Sequence, residues 1–239
     1  MINSICDCLL QTLILLPFII LAKLNNKDTK TINLILALLI FVATSVATDL
    51  LNISLFKEQR WNWGGKVAAL IIALVFIFAN KKITPQQFGL TAKVETKNAR
   101  RIFLICAAYA LFRFVLYLTM TKEGSTFHVE AILYQATMPG ITEEIIFRGI
   151  LLTLLNRAFV TPKWTLANVS FGWAAIITSL LFGLVHGFYF DNDYHIKLNI
   201  FSILQTAFDG FLFAMLAEKT KSLLPSILFH NILNLIGTH

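Results

Sequence analysis

Eight stretches of this chain are apolar over lengths close to the thickness of a bilayer, and that pattern constrains the fold more than anything else in it. They run at about 8 to 23, 32 to 48, 66 to 80, 101 to 120, 139 to 157, 170 to 189, 198 to 217 and 222 to 237. A hydrocarbon core roughly 30 Å thick is crossed by about 20 helical residues, or somewhat fewer when flanking residues reach the interface. The expectation is an all-α polytopic membrane protein with about eight transmembrane helices. Composition agrees: 57% of the 239 residues are hydrophobic and only 14% are charged, outside the usual range of a soluble globular domain.

The charges say how the spans are oriented and what they meet. Twenty bases against thirteen acids give a net charge of +7, and the bases fall mainly between the apolar runs. Lipid headgroups explain that excess better than nucleic acid does, so membrane lipid is an expected partner and nucleic acid is not. Thirteen bases, among them Lys23, Lys81, Arg100, Arg157 and Lys221, fall in loops on one side; five, Lys57, Arg60, Lys66, Lys122 and Lys197, fall on the other. This asymmetry favours both termini outside. Arg113 and Arg148 lie within spans and need buried partners.

Cysteine usage is uninformative: Cys6, Cys8 and Cys106 are too few and too badly spaced for a disulfide framework, Cys106 is read as a packing residue, and the Cys6-Asp-Cys8 pair, open to metal or acylation but two ligands short of a zinc site, is given no function. The first apolar run has neither a basic leader nor a small-residue cleavage site and reads as a retained span. No internal repeat or long linker is visible. The division expected is residues 1–80 as N-terminal helices and residues 81–239 as a core. Two short interfacial helices are expected, one at 83 to 90 and one at about 127 to 138, where Pro139 starts a new helix.

Chemistry enters at Ile141-Thr-Glu-Glu-Ile-Ile-Phe-Arg-Gly-Ile-Leu-Leu, where two adjacent carboxylates and an arginine interrupt an apolar helix. Ionisable groups at membrane depth are expensive and usually mark a site. At about 100° per residue, Glu144 and Arg148 share one face and Glu143 points elsewhere. Glu144 is therefore expected to pair with Arg148, leaving Glu143 for a water-filled cavity. The same spacing pairs Phe182 with His186, and His230 with Asn234 rather than Asn231. If Pro139 opens its helix, all these positions fall in one leaflet.

Pro139, Glu143-Glu144-x-x-Phe147-Arg148-Gly149, Phe182-x-x-x-His186 and His230-x-x-x-Asn234 together resemble the three ordered motifs of the CPBP (Abi) family of CAAX proteases and bacteriocin-processing enzymes. The resemblance covers roughly residues 84 to 237, with Met138-Pro139-Gly140 where members commonly have Ala-Pro. It implies an eight-helix intramembrane endopeptidase in which Glu143 and His186 activate water while His230 and Asn234 stabilise the oxyanion. Glu144, Arg148 and Phe182 become supports. The substrate implied is a peptide or membrane protein, prenylated only by analogy with eukaryotic relatives. The Lys/Asn/Ile-rich composition looks bacterial, hence an expected place in a bacterial inner membrane.

The residues themselves leave alternatives open. Zinc held by Glu143, His186 and His230 would give a two-histidine, one-carboxylate site with an open position, although Asn234 suits an oxyanion better than a metal. No cofactor is the leading expectation. A lone His230–Asn234 pair would ordinarily be an interhelical hydrogen bond, and Phe182 a packing residue. Asp209 and Arg113 are expected to neutralise each other; a proton or ion path through them and Glu143 is the transport reading. A silent immunity or binding protein is the third. His195, with Asp191 and Asp193, reads as a solvated loop.

Overall fold

The computed structural model describes residues 2–54, 61–120, 129–191 and 195–236. Lys57, Arg60, Lys122, Asp193, His239 and the first residues of the 127 to 138 segment lie outside the described residues.

The first apolar run is not one helix. It divides into α1 (Ile2–Ile14) and α2 (Leu16–Leu24), bent by 45° at Leu15. Pro17 falls in the first turn of α2, where its missing N–H costs no helical bond. Among the described residues, three helices are long and apolar enough to cross a membrane, α3 (Thr31–Ser54), α5 (Arg100–Met120) and α10 (Ile200–Thr220); the bent pair makes up to four. The expectation of eight crossing helices is therefore not reached. Between them, α4 (Trp63–Ala79), α9 (Trp173–Gly187) and α11 (Leu224–Ile236) have 17, 15 and 13 residues. They reach about 20–26 Å, short of a hydrocarbon core.

For α9 the shortfall has a local cause. Apolar residues that count towards a span in the sequence are used in strands and turns instead. β1 (Lys163–Leu166) pairs with β2 (Val169–Gly172), and β3 (Phe188–Phe190) with β4 (Ile196–Leu198), both antiparallel. The first hairpin turns on Ala167 and Asn168 at φ 53° and 64°, as a tight two-residue loop requires. These hairpins correct the all-α expectation to mostly helical. The segment at 83 to 90 is a single 3-10 turn, Pro85–Phe88, closed by a capping box between Thr84 and Gln87. A short helix α6 (Val129–Gln135) precedes Pro139 as expected.

The motif-bearing helix runs on through α7 (Met138–Glu144), a π-helical turn (Ile145–Leu151) and α8 (Leu152–Ala158). Pro139 occupies its first turn. α9 and α10 pack so closely that a Cβ on Gly183 would lie 2.5 Å from Ile203 O and 2.8 Å from the Ala207 Cβ. Small residues at helix crossings are how apolar helices approach each other without a solvent-driven force. The outer surface is apolar: Leu111, Phe112, Phe201 and Leu204 are all exposed, as a lipid-facing surface should be.

Candidate active site

α7, α9 and α11 converge at one end of the molecule, and the contact that fixes them starts at the first turn of α7. Thr137 supplies no side-chain cap there. Instead Asn231 of α11 accepts the Gly140 N–H at 3.0 Å, satisfying one of the donors that a helix start leaves unpaired. Gly140 is required for this approach, because a Cβ there would collide with the Asn231 amide.

Glu144 is wholly buried and faces inward. Its Oε1 accepts from Arg148 Nη1 at 3.1 Å and from His230 Nδ1 at 2.8 Å. Arg148 is equally buried; its Nη2 donates to Gly210 O at 2.9 Å, and its guanidinium lies 4.4 Å from the Phe182 ring and 5.1 Å from Phe213. A charge pair taken out of water needs such extra bonds and ring faces to offset desolvation. Phe213 also stacks on His230, centroids 4.8 Å apart and planes 10° off parallel. The predicted Glu144–Arg148 pair is present, and Phe182 sits at its centre, between Arg148, His186 and His230.

Glu143 faces the other way, into a cavity of about 410 Å³. Its Oε2 lies 3.7 Å from His186 Nε2 and 3.9 Å from His230 Nε2, and has no hydrogen-bond partner among the described residues. Both imidazoles are held from behind. His186 Nδ1 is 2.7 Å from Phe182 O and His230 Nδ1 is 2.8 Å from Glu144. Because a carbonyl and a carboxylate only accept, each Nδ1 carries the proton. In the neutral rings each Nε2 is then bare, so three acceptor atoms surround one gap. A water molecule placed there would donate its protons to two of them. About a third of the His186 side chain, 34%, is accessible, against 5% for His230.

The structure therefore brings together Glu143, His186 and His230, with Glu144, Arg148 and Phe182 behind them. Asn234 lies half-buried one turn beyond His230 on α11. Arg113 and Asp209 do pair, Nη1 to Oδ2 at 3.2 Å, with the Tyr109 hydroxyl donating to Asp209 Oδ1 at 2.6 Å. His195 lies 3.8 Å from Asp191 at an exposed position. The three cysteines are free thiols, Cys8 and Cys106 buried.

Sequence reasoning missed Lys66. Assigned to a loop as an interfacial base, it instead occupies the first turns of α4, with Nζ 2.5 Å from Glu143 Oε1. Glu143 is thus paired rather than free. The signal available was a lysine one turn into an apolar helix. The same cavity is walled by Asp7 of α1 and by Thr44, Ser45, Thr48 and Asp49 of α3.

Zinc would place its own demands on this donor set. Bare Nε2 atoms backed by a carbonyl and a carboxylate are the usual arrangement of histidine ligands. However, separations of 3.7 and 3.9 Å exceed the roughly 3.3–3.4 Å between ligands of a tetrahedral zinc ion. No group of three His, Cys, Asp or Glu among the described residues is drawn together tightly enough to hold a metal.

A protein-family model described as Type II CAAX prenyl endopeptidase Rce1-like matches residues 125–236. That range contains Glu143, Glu144, Arg148, Phe182, His186, His230 and Asn234, and excludes Lys66. No curated protein and no solved structure matches the chain.

Proposed function

With residues 125–236 as an Rce1-like segment of a membrane protein, we propose that this chain is an intramembrane endopeptidase that hydrolyses a peptide bond with water activated by Glu143 and His186. The observation that carries the reading is the unpartnered Glu143 Oε2, flanked by two imidazoles whose far nitrogens are pinned. A general base must lie within reach of the proton it takes, directly or through one water, and this geometry provides that.

The step balances as follows. Water held between Glu143 and His186 gives a proton to Glu143 Oε2 while its oxygen bonds to the scissile carbonyl carbon. The carbonyl oxygen becomes an oxyanion, met by the Asn234 amide; His230, whose Nε2 is bare in the neutral ring, adds a second donor only on taking up a proton from solvent, Glu144 then balancing the imidazolium. Glu143 then passes the proton to the departing amide nitrogen as the C–N bond breaks, leaving an acid and an amine. Donors aimed at the developing oxyanion typically contribute about 10²–10³-fold to turnover.

Glu143→Gln tests this directly, with a quenched farnesylated peptide ending in a CAAX sequence and its unprenylated twin as probes. Loss of cleavage by a protein that still unfolds cooperatively in detergent is the expected result. An active Glu143→Gln variant would point to a silent binding role or to other chemistry.

Zinc remains the second reading because of the two bare Nε2 atoms. Glu143, His186 and His230 would be its ligands, and the metal would acidify a bound water. Activity is expected to survive strong chelators, and added Zn²⁺ to leave the melting temperature unchanged. Loss on chelation with recovery on Zn²⁺ would make the metal reading the correct one.

A further inference from the structure

Lys66 reaches the site from α4, outside the segment that matches the family, and both of its ends touch α7. The ammonium is 2.5 Å from Glu143 Oε1, and the backbone carbonyl accepts from the hydroxyl of Thr142, the neighbour of Glu143, at 3.4 Å. The start of α4 is itself anchored. Asn62 caps it by accepting from Gly65 N at 2.8 Å and donates to Thr48 O of α3 at 2.9 Å. The Trp63 indole donates to Glu130 at 3.2 Å and packs edge-on against Tyr134 of α6.

A lysine on so fixed a base does more than neutralise charge. With Oε1 held by the ammonium, the Glu143 carboxylate cannot turn freely about its last bond, and Oε2 is the oxygen left facing the gap between His186 and His230. Side-chain exposures of 18% and 14% mean that the pair is poorly hydrated, so little bulk water competes with the ammonium for Oε1. A mere surface anchor would extend towards headgroups instead.

We propose that Lys66 is a positioning residue of the hydrolytic site, its ammonium holding Glu143 by Oε1 so that Oε2 is presented to the water between the two histidines. This rests on the hydrolytic reading of Glu143. Negative charge passes from the carboxylate to the oxyanion and back beside the ammonium that holds Oε1.

The test uses the full chain in detergent micelles, the two quenched peptides, and Lys66→Met and Lys66→Arg. The expected result is a fall in kcat of at least about 10-fold for Lys66→Met. KM should change by less than about twofold, because substrate does not touch the ammonium. Lys66→Arg should recover part of the lost kcat. Melting temperatures of Lys66→Met, Glu143→Gln and the double variant supply a measure that needs no substrate: the losses should be non-additive, as for groups in contact.

Wild-type kcat in Lys66→Met, or additive losses of melting temperature, overturns the assignment of Lys66 alone. A kcat loss that Lys66→Arg does not relieve, accompanied by an equal rise in KM, also overturns it, as a packing defect. Wild-type protein that cleaves neither peptide counts against the hydrolytic reading and removes this role with it.

Discussion

Deleting the Arg148 guanidinium would strand Glu144, a carboxylate with no exposed surface and, among the described residues, only His230 left to bond it. Breaking a buried pair by removing one partner costs about 3–5 kcal/mol. Arg148→Ala is therefore expected to unfold at a clearly lower temperature in detergent, and to lose activity because Glu144, which backs His230, loses its anchor. Normal stability would show that Glu144 does not need its partner. This pairing was legible in the sequence, since residues four apart share a helix face, and the same phase set Glu143 apart from Glu144. The phase of α11 also turned Asn231 away from His230, as found. What Asn231 does there, capping the start of α7, could not be read because its partner Gly140 is 91 residues away. Lys66 escaped for the same reason, with a partner 77 residues distant. A lysine at the edge of an apolar run also has an ordinary explanation at the interface.

Elements were legible where the hydrophobic run and the helix coincide, as in α5 and α10, and illegible where an apolar run bends or turns back. Leu15 is such a break, and so are the strands flanking α9, since apolarity says nothing about a 45° bend or a hairpin. The π turn from Ile145 to Leu151 was equally hidden. It lies immediately after the two glutamates and contains Arg148, so it sets how the guanidinium meets Gly210. Such turns often accompany functional sites. The contact of α9 with α10 gives a test at this scale. Gly183→Val would force its branched side chain onto the Ile203 carbonyl and Ala207, a clash expected to cost about 1–3 kcal/mol. Because His186 lies one turn further along α9, kcat should fall as well. Unchanged activity and melting temperature in this variant would mean that the two helices separate without moving the site.

At the scale of the whole molecule, the cavity is shared between two regions of the chain. Glu143, Phe147, Val185 and His186 come from the matched segment, whereas Asp7, Thr44, Ser45, Asp49 and Lys66 come from helices before it. A chain beginning at residue 81 would lack this wall and Lys66. It is expected to retain no more than about a tenth of wild-type kcat, even where circular dichroism in detergent shows helices intact. Near-normal turnover would reduce the early helices to a scaffold. On the hydrolytic reading, the wall formed by Asp7, Phe41, Thr44, Ser45, Thr48 and Asp49 is where the residues beside a cut bond would lie. Lys66 apart, the proposed catalytic groups and the groups that line their approach then lie on different stretches of the chain. On the hydrolytic reading, mutation along α1 and α3 would alter which peptides are admitted while the proposed catalytic Glu143, His186 and His230 stay as they are; choice of target and power to cleave would then be inherited separately.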